Sequence, residues 1–156
     1  MKVCADTSFI MKLLVSEPGS VTAAGLYRHL NRPRLPFTQI HQMEVESALA
    51  QKAFIARNNG AKKDVVRREK AAGIAKLETW LQKSLLIETE IRWLECFDQT
   101  LKFLPLQSEK LGCRTLDLIH ISIAICYQAE LFVTCDERQA KAAKAEGLKT
   151  RLVDIS

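Results

Sequence analysis

Two stretches of the chain echo each other: KVCADTSFIMKLL, starting at Lys2, and LFVTCDERQAKAA, starting at Leu131. Each runs from a short apolar segment through an aspartate, Asp6 or Asp136, into a helical pattern. In an open parallel sheet the carboxyl ends of the strands share one edge, where ligands bind, so both aspartates are expected to face one crevice. Glu44 shares a helical face with Ile40, Ala48 and Ile55, a stripe expected to point inward. A buried carboxylate must pair with a cation, take up a proton or bind a metal. Asp117 stands in the first turn of TLDLIHISIAI, a segment apolar enough to belong to the core. Carboxylates without Cys or His partners suit Mg²⁺ or Mn²⁺, which prefer oxygen ligands and keep several waters. An ion so held neutralises a phosphate, acidifies an attacking water and stabilises a leaving oxygen, with no need of a serine or cysteine nucleophile.

Each acid also has a mundane explanation. An aspartate just before a helix accepts hydrogen bonds from the first free N–H groups, which accounts for Asp6 and Asp136 singly. Asp117 is favoured by the helix dipole, with Thr115 as the expected cap. Glu44 could pair with a distant Lys or Arg, whereas Glu46 turns toward the side carrying Arg57 and reads as solvated. His29, His41 and His120 stand apart from one another, and His120, one turn after Asp117, reads as a packed polar residue. Trp80 and Trp93 fall in helical segments and read as core or interface residues rather than base-stacking platforms. No G-x-x-x-x-G-K-[ST] or G-x-G-x-x-G is present, which removes the usual phosphate cradles.

The elements that must position the acids follow from punctuation and periodicity. Residues 2–5 read as a strand stopped at Asp6, and FIMKLLVSEPG as a helix closed by Pro18-Gly19. A second helix spans Ser20 to Asn31, Pro33 and Pro36 bracket an extended piece, and Gln39 to Asn58 form a long helix. Residues 62–84 continue as helix, Leu85 to Glu88 suit a strand, and Glu90 to Leu111 are helical, with Pro105 the place where a break is allowed. Leu116 to Gln128 form a strongly apolar helix, Leu131 to Cys135 a buried strand, and the segment after Asp136 a helix with Gly147 as its C-cap. Leu152-Val153 offers a last strand. Short apolar strands alternating with helices predict an α/β fold with a mostly parallel sheet.

Composition bounds the rest. A chain of 156 residues suits one domain that buries roughly two-thirds of its unfolded surface. Hydrophobic residues at 47% and charged ones at 26% exclude a disordered or fibrous class. The opening segment carries Asp6 and Lys12 among apolar runs too short for a signal peptide or a membrane span, so a cytoplasmic location is the default. Five cysteines show no C-x-x-C pair and read as reduced, mostly buried small hydrophobes. A net charge of +5 favours encounter with polyanions about as much as it favours solubility.

ADTSFIMKLL, MEVESAL, TLDLIHISIAI and LFVTCDERQAKAAKAEGLK together resemble the successive signatures of a PIN domain, over essentially the whole chain, 1–156. The resemblance is nearest to the virulence-associated protein C (VapC) group, the ribonuclease toxins of toxin–antitoxin pairs. It implies a three-layer α/β/α sandwich and Mg²⁺- or Mn²⁺-dependent cleavage of RNA. It also implies a homodimer and inhibition by an antitoxin protein. The family's four acids fall on Asp6, Glu44, Asp117 and Asp136, as catalytic and metal-holding residues, and accessory hydroxyls on Thr7, Ser8 and Thr134. The charged stretch from about 61 to 84 departs from the most compact members. Two rivals remain: a PIN-like module that binds RNA or protein without cutting, and a haloacid-dehalogenase-like phosphohydrolase. The latter expects a second aspartate where Ser8 stands.

Overall fold

Val3 and Ala5 face one buried cluster and Cys4 another, as the two-residue period of a strand requires when both sheet faces are covered. The neighbouring strand repeats the pattern, with Leu131 and Val133 on the first side and Phe132 on the second. This alternation makes the architecture an α/β/α sandwich. The computed structural model describes residues 1–155. In chain order the elements are β1 (Val3–Ala5), α1 (Thr7–Leu14), α2 (Ser20–His29), β2 (Leu35–Phe37), α3 (Gln39–Asn58) and α4 (Lys63–Gln82). They continue with β3 (Leu86–Glu88), α5 (Trp93–Leu111), α6 (Thr115–Cys126), β4 (Leu131–Thr134), α7 (Glu137–Ala145) and β5 (Thr150–Leu152). Helices α1 to α4 cover one face, and α5, α6 and α7 the other.

All strand pairs are parallel, in two ladders, β1-β4-β5 and β2-β3. The strands are parallel, as expected, but β2 lies beside β1 without forming a ladder with it. Pro36 supplies the reason. Leu35 donates its N–H to Leu85 on the β3 side, so the amide of residue 36 would face β1, and proline has none to give. The last strand is also shifted, to Thr150–Leu152, with Val153 N–H bonded to Thr134 O.

Helix α5 runs unbroken through Pro105. The proline removes one N–H bond to the carbonyl of Leu101, and Leu101 is 65% exposed, so water can satisfy that carbonyl. Packing of Cys96, Thr100, Phe103 and Gln107 on the inner face holds the rest of the helix. None of the five cysteines is in a disulfide; Cys4, Cys96 and Cys113 are buried, and Cys126 is exposed. Among the described residues no helix is long and apolar enough to cross a membrane.

Candidate functional site

Asp6 ends β1 and caps α1, accepting the Phe9 N–H at 3.0 Å. The Ser8 hydroxyl lies 2.9 and 2.7 Å from its two oxygens, and the Thr134 hydroxyl 3.0 Å from Oδ2. The residue is 5% exposed, and among the described residues no Lys or Arg pairs with it. Burial therefore raises its pKa; the nearby His120, Ser8, the Phe9 amide and Thr134 pull it back without cancelling the effect. The charged form of Asp6 is costly unless a cation arrives.

Glu44 departs from expectation. The buried stripe of α3 is His41, Val45 and Leu49, while Ile55 is 56% exposed, because α4 packs along a neighbouring face of the helix. Glu44 stands at the edge of that stripe, half-buried. Its partner is neither Lys nor Arg: Oε2 is hydrogen-bonded to His120 Nε2 and accepts the Thr7 hydroxyl at 2.7 Å. Burial works to raise the Glu44 pKa, but His120, Thr7 and His41 together outweigh it and lower it.

The two histidines read as isolated in fact meet, with ring centroids 4.7 Å apart. His41 Nδ1 faces the Thr38 N–H at 3.1 Å and must accept, so Nε2–H donates to the Ala5 carbonyl at 2.9 Å. A protonated ring would turn a donor against a donor. Burial, then the neighbouring His120, push the His41 pKa down to about 3. His120 is 2% exposed, and its Nδ1 is buried with no hydrogen-bond partner.

Asp117 Oδ2 accepts the Arg114 N–H at 2.9 Å, with the Arg114 guanidinium 3.8 Å away. The N-cap of α6 is Arg114, and Thr115, the expected cap, is already helical. Asp136 caps α7, taking the N–H groups of Arg138 at 2.7 Å and Gln139 at 3.1 Å. The capping explanation thus holds for Asp6 and Asp136, and it does not remove them from the site. Asp6, Glu44, Asp117 and Asp136 all line one open cleft of about 400 Å³, with Thr7, Ser8 and His120. Thr134 is fully buried behind Asp6. Hollows of about 470 and 660 Å³ against α4 contain none of these residues.

The donor set fits a hard cation. Four carboxylates and the hydroxyls of Thr7 and Ser8 line it, Asp6 is a buried acid, and among the described residues Asp6 has no Lys or Arg partner while the hydrogen bonds of Asp117 and Glu44 fall on Oδ2 and Oε2. Among the described residues no three Asp, Glu, His or Cys side chains converge to enclose an ion, so the acids line a cleft rather than a cage. Sequence reasoning missed three residues here: His41, His120 and Gln139. The signal for the histidines was available, since each lies three residues from an acid on its own helix, His41 before Glu44 and His120 after Asp117.

The PIN domain model matches residues 3–145, which include all four acids. The chain belongs to the PIN domain family. PIN domains are typically nucleases that act on RNA, and they generally use divalent metal ions. No curated protein matches the chain.

Proposed function

We propose that this PIN domain, taken as one unit over 1–156, is a Mg²⁺- or Mn²⁺-dependent endoribonuclease. The observation that carries the reading is the convergence of Asp6, Glu44, Asp117 and Asp136, drawn from four separate segments, on one cleft. Asp6 and Asp117 would be the principal ion holders, Asp117 through Oδ1 and Asp6 with an uncompensated buried charge. Glu44, steadied by His120 and Thr7, would contribute its Oε1. Asp136, whose Oδ1 is committed to the cap of α7, would act through water. When bound, the ion supplies charge neutralisation at the phosphate and acidifies the attacking water. Ser8 and Thr134 keep the Asp6 carboxylate turned into the cleft. Arg114, on the cleft wall, is placed to meet a phosphate.

The nearest kinship would be to the VapC toxins, with an antitoxin that covers the cleft, a homodimeric assembly and a cytoplasmic location. A non-cutting RNA- or protein-binding module is the second reading. One experiment separates the two: single-stranded RNA incubated with the protein and Mg²⁺ or Mn²⁺, with EDTA and Asp6→Asn as controls. Cleavage lost in both controls supports the nuclease. Cleavage that persists in Asp6→Asn, or RNA bound and never cut, refutes it.

A further inference from the structure

Gln139 carries the sequence mark of an ordinary helix cap. Asp136-Glu137-Arg138-Gln139 is a capping-box pattern, in which the N3 glutamine reaches back to the N-cap N–H. The structure uses it otherwise. The Asp136 N–H is already satisfied by the Thr134 hydroxyl at 3.0 Å, and the glutamine side chain turns inward, leaving the residue 1% exposed. Its Nε2 donates to the Asp117 carbonyl at 2.8 Å, and its Oε1 accepts the Thr134 hydroxyl at 2.6 Å. Because the carbonyl of Asp117 can only accept, this orientation of the amide is the one that satisfies both ends. The Gln139 backbone N–H meanwhile holds Asp136 Oδ1 at 3.1 Å.

One buried side chain therefore ties the first turn of α6 to the end of β4, where the single Thr134 hydroxyl proton faces both Gln139 Oε1 and, at 3.0 Å, Asp6 Oδ2, so that the glutamine shares with Asp6 the one donor between them. The side chain thus touches the main chain of Asp117 and the hydroxyl that abuts Asp6. We propose that Gln139 is a positioning residue that sets the placement of Asp6 and Asp117 relative to each other across the cleft. The inference rests on the metal-nuclease reading above. It is specific to geometry: an amide reaches both partners at once, whereas leucine or methionine of similar size reaches neither.

The test titrates Mn²⁺ against thermal unfolding and, separately, measures cleavage of single-stranded RNA. Partners behind a metal ligand typically govern affinity by 10–100-fold, so Gln139→Leu is expected to raise the Mn²⁺ concentration for half-maximal stabilisation by roughly that factor. kcat should fall while KM for RNA changes by less than about twofold, since the side chain does not reach the cleft. Gln107→Leu is the control. It also deletes a buried amide, one that donates to Glu146 at 2.8 Å, and should leave the Mn²⁺ response unchanged. Gln139→Met is the second variant should leucine prevent folding. A folded Gln139 variant whose Mn²⁺ response matches that of the unmodified protein overturns the positioning role alone. An unmodified protein with no Mn²⁺ response overturns the metal reading and this inference with it.

Discussion

Acidification from pH 7 to pH 5 is expected to weaken the fold by about 2 kcal/mol through His41 alone. The ring is fully buried and neutral, with a pKa near 3 against an ordinary value of 6.5. Between those two values the unfolded chain binds a proton that the folded one refuses, so stability rises with pH and is lost as pH falls below about 6.5. At pH 5 the unfolded imidazole is almost fully protonated and the folded one almost not at all. The difference is about 1.4 pH units, or about 2 kcal/mol at 1.36 kcal/mol per unit. The cause is burial of the ring first and the crowding His120 second, and the Thr38 N–H facing Nδ1 leaves no acceptor for a second proton. Urea unfolding at the two pH values, in the unmodified protein and in His41→Gln, measures it. With a slope of about 2 kcal/mol/M the urea midpoint should drop by about 1 M in the former. In the latter, weaker at both pH values, that drop should largely vanish. Staying near pH 5 keeps Glu44 out of the comparison, since its lowered pKa makes it matter only in more acid solution. An equal pH dependence in both proteins would refute the assignment to His41.

Asp6→Asn should abolish metal-dependent RNA cleavage while leaving the melting temperature unchanged or higher, because it deletes a buried charge whose ionisation the fold resists; a lower melting temperature contradicts that account. His120→Ala removes the partner of Glu44 and should cost about 1.5–3 kcal/mol, read from urea unfolding, together with most of the cleavage activity. Pro105→Ala restores an N–H to the exposed side of α5 and should stabilise the protein by about 1–3 kcal/mol, seen as a raised melting temperature. A Mn²⁺ concentration 100 times its dissociation constant should add about 2.7 kcal/mol of stability, reversed by EDTA; calorimetry showing no shift would remove the ion from the site.

Much of the site was legible because its signals are local. An aspartate between a short apolar run and a helical pattern marks a strand end and a cap; Asp6 proved to be both, and Asp136, two residues past the end of β4, the cap of α7. The placement of Asp117 in the first turn of an apolar helix was equally local, although the cap itself moved to Arg114. Glu44 was singled out correctly as an acid near the core and assigned the wrong neighbours, since periodicity gives the angular width of a face but not its centre. Only the packing of α4 against α3 decided that His41, Val45 and Leu49 form the inward stripe.

The sequence alone determined the alternation of strands and helices and singled out the four acids that the structure brings to one cleft, because spacing along one element is a property of that element. The tertiary structure decided what each acid touches. Glu44 meets His120, His41 holds the carbonyl of Ala5, and Gln139 joins Thr134 to Asp117. These contacts join different elements, and their geometry depends on how helices pack over the sheet, which no periodicity records. The break between β2 and β1 sits between the two cases: the missing N–H of Pro36 is written in the sequence, but the strand it faces is known only once the sheet is assembled.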